Sequence, residues 1–321
     1  MKKISVVVPC YNEENSIERL YTVISEMFKK ELKAYDYELI LADDFSKDRT
    51  REIIARICSE DKHVKAVFNM ANFGFSRNVF SALQEMTGDA AFLVFGDMQD
   101  PPQLLPEFVK KWEEGKKVVI GQKIASKENA IMTFMRKRYY GLIRKLSDKP
   151  QIEEFNGYGL YDKKFIDIMR DIDDVQPYLK TVVSEYASDY GVVYYTHQRS
   201  VRGKSNFNFY RNYDFAMEGI TSSTKKLLRI ATFLGAGLGV FSVIYSIYVF
   251  IMKIVSPEMF PEGTASIMIG VYLIGSAQLF FIGILGEYML SVNVRTMKKP
   301  RVVVDRKINF DDKEDNSDNE K

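Results

Sequence analysis

Short apolar segments alternate with amphipathic ones along about the first 200 residues of the chain. Four runs of five or six mostly apolar residues predict buried strands, and they read ISVVV, YELILA, VKAVF and AAFLVF. The stretches between them predict helices over about Ser16–Lys30, Asp48–Cys58 and Ser76–Met86. Continuous apolar strands separated by helices are typical of a parallel sheet covered on both faces. The pattern therefore predicts a doubly wound α/β domain with a mostly parallel sheet over residues 1–205.

Two long uncharged runs follow this region. Residues 230–252 and 264–286 hold no charged side chain, and about 23 residues of helix cover about 35 Å, enough to cross a hydrocarbon core of about 30 Å. Pro257 and Pro261 in the connection break helices. The alternative for either run is a buried core helix, but a helix this long and free of charge is rarely one. We expect a transmembrane hairpin of two helices over residues 230–294.

The charges around this hairpin predict its orientation. Lysines and arginines lie outside both of its ends, whereas the connection holds only Lys253 against two glutamates. By the positive-inside rule both termini face the cytoplasm of a multi-pass inner-membrane protein. Residues 206–229 mix aromatic and charged side chains, which predicts an interfacial helix or, as the alternative, a segment packed between subunits. Residues 295–321 predict a cytoplasmic tail, basic and then acidic, that is disordered.

Composition narrows the class of protein further. The chain has 321 residues, of which 46% are hydrophobic, and its formal net charge is +2. These values exclude a largely disordered protein, and the near-neutral charge argues against a general nucleic-acid binder. Two cysteines, Cys10 and Cys58, are too few for a disulfide scaffold and lack the spacing of metal ligands.

Polar residues concentrate in the loops that follow the four predicted strands. These loops read PCYNEE, DDFSKD, NMANFGFS and GDMQDPP. In doubly wound sheets ligands bind beyond the carboxyl ends of the strands, so these loops should line one site. Taken singly the signals are weak, because Asp43 and Asp44 could cap the next helix and Asp100 could belong to an ordinary turn.

Together, VVVPCYNEE, ADDFSKD, NFG and DMQDPP resemble glycosyltransferase family 2, and within it the polyprenyl-phosphate sugar transferases related to dolichol-phosphate mannose synthase. The resemblance covers the chain up to about Arg301. It implies a GT-A type nucleotide-sugar domain, a polyprenyl phosphate acceptor, attachment to a membrane and assembly into a homo-oligomer, a tetramer in relatives. It also places Pro9, Tyr11 and Glu13 around the nucleotide base, with Asp44 and, less directly, Asp43 beside them.

The family signature after the fourth strand is Asp-x-Asp, which binds a divalent cation that bridges the donor phosphates. This chain has Phe95 in place of the first aspartate, and Asp97 and Gln99 remain as oxygen ligands. Mg²⁺ commonly uses one or two protein ligands together with phosphate oxygens and water. The resemblance therefore implies a Mg²⁺ or Mn²⁺ site at Asp97 and Gln99, with Asp97 as a catalytic residue.

A second departure lies where many relatives have Gly-Asp-Phe-Arg, with the aspartate proposed as a base. Gly157 stands at that position. A base is essential for deprotonating a sugar hydroxyl, but a phosphate monoester has its second pKa near 6 and is mostly ionised at pH 7. A lipid phosphate acceptor thus needs no strong base. We expect Glu185, on a predicted helix, to be an assisting carboxylate, and the alternative is a solvated or structural glutamate.

Cations for the phosphate groups are available in three places. Arg136 and Arg138 lie in a basic and aromatic segment suited to a membrane surface. The segment HQRSVRGKSNF resembles a mobile family loop that closes on donor phosphates, and its candidates are Arg199, Arg202, Lys204 and Ser205. Lys123 completes the set expected to bind phosphate or acceptor.

The sequence thus predicts an enzyme that transfers a sugar, with inversion, from a UDP- or GDP-sugar to undecaprenyl or another polyprenyl phosphate at the cytoplasmic membrane face. By the same likeness, the product would supply a cell-envelope glycan. The loss of two expected acids, at Phe95 and Gly157, motivates an alternative, a catalytically inactive membrane scaffold that binds nucleotide sugar. A processive polysaccharide synthase is disfavoured because such enzymes need more membrane spans and a Gln-x-x-Arg-Trp type motif, and the one tryptophan is Trp112.

Overall fold

The structure is a computed structural model of the chain. It describes residues 1–125, 152–175, 177–196, 264–297 and 299–310, together with isolated positions between 237 and 255. The predicted interfacial segment 206–229, the acidic residues 311–321 and most of the first predicted span lie outside the described residues.

The described strands form one mixed sheet in the order β7-β5-β6-β4-β1-β2-β3-β8. Their bounds are β1 (Lys3–Cys10), β2 (Asp36–Asp43), β3 (Val64–Asn69), β4 (Ala90–Leu93), β5 (Val118–Ala125), β6 (Gly159–Asp162), β7 (Gly191–Thr196) and β8 (Val304–Ile308). β4, β1, β2 and β3 are parallel neighbours, and β5 pairs parallel with β7. Because β6 is antiparallel to both β4 and β5, six of these eight strands run in the same direction.

Helices cover both faces of this sheet, which explains the continuous apolar runs of its central strands. Val6 and Val8 of β1 belong to the cluster on one face and Val7 to the cluster on the other. The first face packs against α1 (Ile17–Lys30), α2 (Thr50–Glu60) and α4 (Leu105–Glu113), and the second against α3 (Phe75–Gln84), α5 (Lys163–Arg170) and α6 (Leu179–Tyr186). The doubly wound, mostly parallel α/β fold is therefore confirmed.

The strand directions bring the predicted site loops to one edge of the sheet. The six strands that share a direction all end at this edge, and the loop that leads into β6 reaches the same edge because β6 runs the opposite way. Segments more than 100 residues apart in the sequence, such as those at Tyr11 and Gly157, therefore belong to one region. We call this edge of the sheet, where the six strands end, the catalytic edge. Open α/β sheets bind their ligands beyond the carboxyl ends of their strands.

The C-terminal stretch differs in part from the expectation for a disordered tail. Residues 304–308, which the sequence analysis assigns to that tail, form β8 and pair antiparallel with β3, with Phe68 opposite Arg306 and Ala66 opposite Ile308. The prediction was wrong for these residues because three consecutive charged residues, 305–307, are typical of a solvated segment, although here they belong to an edge strand. Asn309 strengthens the attachment by donating to the carbonyl groups of Cys58 and Val64.

The chain divides into two compact units, one that contains the sheet and one that contains the described residues between 237 and 296. In the second unit α7 (Thr264–Thr296) includes the second uncharged run. Taking into account only the residues that the structure describes, no helix is both long and apolar enough to cross a bilayer, so the predicted hairpin is not confirmed.

Candidate active site

Asp44 holds the loop that follows β3 against the end of β2. Its carboxylate accepts hydrogen bonds from the backbone N–H groups of Phe73 (2.9 Å) and Gly74 (2.8 Å) and from Asn69 Nδ2 (3.0 Å). Burial raises the pKa of Asp44, and these three donors offset part of the increase. Gly74 has a φ of +92°, a conformation that side chains other than glycine rarely adopt. Asp44 is thus a nearly buried acceptor, and its three donors hold the loop after β3 at the catalytic edge.

Asp43 makes contacts within the loop after β2 and also contacts α2. It is fully buried, and its Oδ2 accepts from Ser46 N (3.1 Å) and lies 3.4 Å from Arg51 Nε. Its Oδ1 is the only buried side-chain polar atom among the described residues that has no hydrogen-bond partner. Ser46 Oγ in turn accepts from Asn12 N (2.9 Å), which joins this loop to the one after β1. Asp43 thus acts on the site by ordering its loops.

The remaining residues predicted around the base lie in and after β1. Pro9 is buried within the strand, and Tyr11 is partly exposed beyond it. Glu13 is largely buried and accepts from Ser16 Oγ at 2.9 Å. A Cβ atom at Gly96 would lie 3.0 Å from Glu13 Cγ, so glycine lets the loop after β4 approach the loop after β1.

Asp97 and Gln99, the predicted metal ligands, lie two residues apart in the loop after β4 and are both partly exposed. Gln99 N donates to Asp97 Oδ1 at 3.1 Å, which fixes the turn between them. Met98 turns inward with a φ of +54° and is nearly buried. Within the described part of the chain, no three His, Cys, Asp or Glu residues form a cluster that could hold a metal. Two oxygen donors fit a cation whose other ligands are phosphate oxygens and water.

Asp100, which from the sequence could belong to an ordinary turn, is a buried residue at the catalytic edge. It is 1% exposed, and its carboxylate accepts from the Tyr195 hydroxyl and from Asn156 Nδ2 (2.9 Å). Burial raises the pKa of Asp100 to about 6, although both hydrogen bonds counteract it. The loop after β4, the loop before β6 and the end of β7 therefore meet at one buried carboxyl group.

The two departures from the family pattern lie next to each other. A Cβ atom at Gly157 would be 3.8 Å from Phe95 Cζ and 3.2 Å from Leu179 Cδ2. Gly157 has a φ of +108°, which a residue with a side chain adopts only with strain. On its other side the Phe95 ring meets the ring of Phe75, with centroids 5.4 Å apart.

The structure separates the remaining candidates into three groups. Lys123 lies near the catalytic edge, where its N–H donates to the carbonyl of Glu154 at 3.2 Å. Glu185 is exposed in the last turn of α6, about 9 Å along the helix axis from Leu179. Its role as an assisting carboxylate stays a prediction. The other six candidates, Arg136, Arg138, Arg199, Arg202, Lys204 and Ser205, lie outside the described residues.

Comparisons with known proteins identify the family. The family model described as Glycosyl transferase family 2 matches residues 5–186. The bactoprenol glucosyl transferase of Shigella phage SfX is 31% identical over 304 residues, 94% of this chain and 98% of that protein. The prophage bactoprenol glucosyl transferase homolog of Escherichia coli K12 is 29% identical over 306 residues, 95% of this chain and 99% of that protein.

Solved structures show the same fold at low sequence identity. Mannosyl-3-phosphoglycerate synthase from Rubrobacter xylanophilus gives a TM-score of 0.52 at 13% identity, covering 73% of this chain and 75% of that one. Glucosyl-3-phosphoglycerate synthase from Mycobacterium tuberculosis, solved with Mn²⁺, UDP and glucosyl-3-phosphoglycerate, gives 0.50 at 18%, covering 69% and 78%. Because the family model spans more than half of the chain and the relatives align with nearly all of it, the chain belongs to glycosyltransferase family 2 and is a glycosyltransferase, as its motifs predicted.

Proposed function

We propose that this enzyme transfers a sugar from a nucleotide diphosphate sugar to a polyprenyl phosphate, with inversion at the anomeric carbon. The observation that supports this most is the alignment, along 94% of the chain, with a relative named bactoprenol glucosyl transferase. That name favours glucose as the sugar and bactoprenyl phosphate as the acceptor. The convergence of the four polar loops at one edge of the sheet is consistent with a nucleotide-sugar site.

Asp97 and Gln99 would hold the Mg²⁺ or Mn²⁺ ion in this proposal. Both are partly exposed at the catalytic edge, and both supply the oxygen ligands that these cations prefer. A neighbour in fold was solved with Mn²⁺ and UDP, which supports a divalent cofactor of the same kind. The ion would neutralise charge on the donor diphosphate.

The chemistry asks for little acid–base help from the protein. An oxygen of the acceptor phosphate forms a bond to the anomeric carbon, and the bond from that carbon to the diphosphate breaks with its electron pair leaving on the nucleoside diphosphate. Because the acceptor is mostly dianionic at pH 7, no proton has to be removed. Gly157, at the position of the usual base, is compatible with this chemistry.

We also propose that the chain is anchored to the inner membrane by residues 230–294, with the catalytic domain and both termini in the cytoplasm. The support is in the sequence, where the two uncharged runs are flanked by basic residues on their outer sides. Assembly into a homo-oligomer is part of the same proposal and rests on the family likeness. Selective labelling of cysteines introduced into the connection and into the C-terminal tail, in intact and permeabilised cells, tests this topology.

The enzymatic proposal is tested on the full-length protein in detergent with Mg²⁺ or Mn²⁺, undecaprenyl phosphate and a panel of UDP- and GDP-sugars. Nucleoside diphosphate release and a new lipid-soluble sugar are scored together, and the configuration of the product is read by NMR. UDP-glucose giving both signals supports the proposal in full. Nucleotide binding without turnover across the panel would instead favour the inactive scaffold that the replacements at Phe95 and Gly157 suggest.

A further inference from the structure

One arginine connects the last strand of the sheet with a loop of the catalytic edge. Arg51, the second residue of α2, donates from Nη2 to Asp305 Oδ2 in β8 at 3.1 Å. Its Nε atom lies 3.4 Å from Oδ2 of Asp43, the last residue of β2. Asp305 follows Arg51 by 254 residues, so a single guanidinium group joins a carboxylate near the end of the chain to one at the catalytic edge.

Two aromatic rings hold the guanidinium group of Arg51 in this position. Arg51 Cζ lies 5.0 Å from the ring centroid of Phe68 and 5.5 Å from that of Phe45, distances at which a cation is attracted to the face of a ring. Phe68 is fully buried in β3, and Arg306, which is opposite it in β8, lies 4.7 Å from the same ring. β8 therefore reaches this cluster through two residues, and the side chain of Arg51 is only 23% exposed.

The loop after β2 has a strained backbone. Phe45 has a φ of +61°, a conformation that bulky side chains rarely adopt. Such strain persists only where the surrounding contacts hold the chain in place. Here Ser46 N donates to Asp43 Oδ2 at 3.1 Å, and Lys47 N donates to Asn12 Oδ1 at 2.8 Å. The conformation of the loop thus depends on where the Asp43 carboxylate lies.

The position of Asp43 in turn depends on Arg51. A carboxylate removed from water needs a cation beside it, and Asp43 is fully buried. Arg51 is the cation paired with it in the described part of the chain. The separation of 3.4 Å is long for a charge-assisted hydrogen bond, whereas Arg51 donates to Asp305 at 3.1 Å. Asp305 is therefore the contact that orients the guanidinium group toward Asp43.

We propose that β8 is part of the donor site, because Asp305 positions Arg51, and Arg51 positions Asp43 and the loop after β2 for nucleotide binding. The inference rests on the proposed function, since it assigns positioning residues to the nucleotide-sugar site. Both residues act through Asp43, so the loss of either should weaken nucleotide binding, and the two losses should not add. If these contacts only fastened β8 to the sheet, their loss would lower the melting temperature and leave the nucleotide affinity unchanged.

A double-mutant cycle tests this order of action. The dissociation constant for UDP is measured by calorimetry on the full-length protein in detergent with Mn²⁺, for Arg51→Gln, Asp305→Asn and the double variant. Arg51→Gln should raise it about tenfold and Asp305→Asn about threefold, because the first removes the cation and the second only its orientation. The double variant should resemble Arg51→Gln, whereas an increase of about 30-fold, the product of two independent effects, would overturn the inference. Asp305 is half-exposed, so Asp305→Asn remains a test even if Arg51→Gln fails to fold.

Controls come from the same helix and the same strand. Arg56→Gln removes another arginine of α2, one that forms exposed ion pairs, and Lys307→Gln breaks the ion pair between β8 and Glu85. Both controls should bind UDP as the wild type does. If Lys307→Gln weakened UDP binding as much as Asp305→Asn, any disturbance of β8 would have this effect, and the specific role of Asp305 would be overturned.

Hydrogen exchange separates this inference from the proposed function. Without nucleotide, the amides of residues 44–47 should exchange faster in Arg51→Gln and Asp305→Asn than in the wild type and the two controls. Unchanged exchange in both variants, or UDP affinities equal to that of the wild type, would overturn the inference. A wild type that binds neither UDP nor GDP contradicts the proposed function, whereas faster exchange in the variants would still support the role of β8 in ordering the loop.

Discussion

The hydroxyl group of Tyr195 donates a hydrogen bond to the carboxylate of Asp100, across 95 residues of sequence. Tyr195 lies at the end of β7, and β5 and β6 separate that strand from β4, which leads into the loop of Asp97 and Gln99. Asn156 bonds the second carboxylate oxygen at 2.9 Å. A buried polar group bonded on both oxygens fixes the segments around it in one arrangement. Asp100 therefore sets the position of the loop that holds Asp97 and Gln99.

Removing the Tyr195 hydroxyl group should loosen the loop that contains Asp97 and Gln99. Tyr195→Phe leaves a buried carboxylate oxygen without its donor, which costs about 1–3 kcal/mol of stability, and we expect turnover to fall about tenfold or more. Tyr194→Phe is the matched control, because Tyr194 is the preceding residue and 62% exposed. Thermal unfolding and steady-state turnover in detergent check both variants. If the two proteins behave alike, the contact with Asp100 does not position the loop.

Asp44 offers a test of the loop between β3 and α3. In Asp44→Asn an amide NH₂ group would face at least one backbone donor, either Gly74 N or Phe73 N, so the loop would lose one of its attachments. We expect the dissociation constant for UDP, measured by calorimetry, to rise about tenfold. Asp36→Asn, at the opposite end of the same strand, should leave the affinity unchanged. If the affinity of Asp44→Asn for UDP were unchanged, this loop would not contribute to nucleotide binding.

Metal dependence should follow Asp97. Asp97→Asn keeps a carbonyl oxygen that can accept from Gln99 N but removes the charge that attracts the cation. Turnover with Mn²⁺ should fall about 100-fold or more, because charge on the donor diphosphate is then poorly neutralised. The control is Asp89→Asn, just before β4 at the other edge of the sheet, where the carboxylate accepts from Lys3 N. If Mn²⁺ increased the turnover of Asp97→Asn as much as that of the wild type, Asp97 would not be a metal ligand.

Glu38 provides a test of stability that is remote from the catalytic edge. Burial alone would raise the pKa of Glu38, but hydrogen bonds from Lys65, Ser5, Thr87 N and Lys3 outweigh it and lower the pKa to about 2. The lysine Nζ atoms lie 2.8 and 2.9 Å from Glu38 Oε2. The carboxylate binds its proton more weakly in the folded protein than in the unfolded chain, so ionisation of Glu38 favours the folded state.

A lowered carboxyl pKa stabilises the fold above the unfolded value of about 4.3 and loses that effect as the pH falls toward the folded value. We expect the difference in free energy of unfolding between the wild type and Glu38→Gln to be roughly 3 kcal/mol near pH 7 and to shrink between about pH 5 and pH 2. Glu60→Gln, an exposed partner of Arg56, should show almost no difference at any pH. If the difference in free energy of unfolding between the wild type and Glu38→Gln did not change with pH, the lowered pKa of Glu38 would be contradicted.

The sequence predicted the elements whose pattern is local. Strands β1 to β4 were visible because both faces of the sheet are covered and each strand contains a run of consecutive apolar residues. The four polar loops were visible for a related reason, since strand ends of a parallel sheet point to one edge. β8 was missed because its pairing partner, β3, lies more than 200 residues away and the three central residues of β8 are all charged.

Within the site, the sequence could name residue types but not their environments. Asp43 and Asp44 are adjacent and chemically identical, yet Asp44 accepts from the loop after β3 whereas Asp43 is turned to Ser46 and Arg51. Asp100 looked like a turn residue because its burial depends on Tyr195 and Asn156, which come from distant segments.

Restoring the family acid at Gly157 is the sharpest test of the view that this enzyme needs no strong base. Asp at 157 would have to adopt a φ of +108° and would place Cβ 3.2 Å from Leu179 Cδ2. We expect Gly157→Asp and Gly157→Ala to lose a similar stability, about 1–3 kcal/mol, because both share this strain. The melting temperature and kcat of the two variants are compared side by side.

The comparison between these two variants separates strain from charge. If the acceptor arrives as a phosphate dianion, the added carboxylate repels it, so Gly157→Asp should have a higher acceptor KM than Gly157→Ala and no higher kcat. A Gly157→Asp enzyme with a higher kcat than Gly157→Ala would mean that a base at this position still speeds the reaction. Gly157 would then lower the rate of an enzyme that tolerates the loss, and the ionised acceptor would no longer explain why a base is missing at this position.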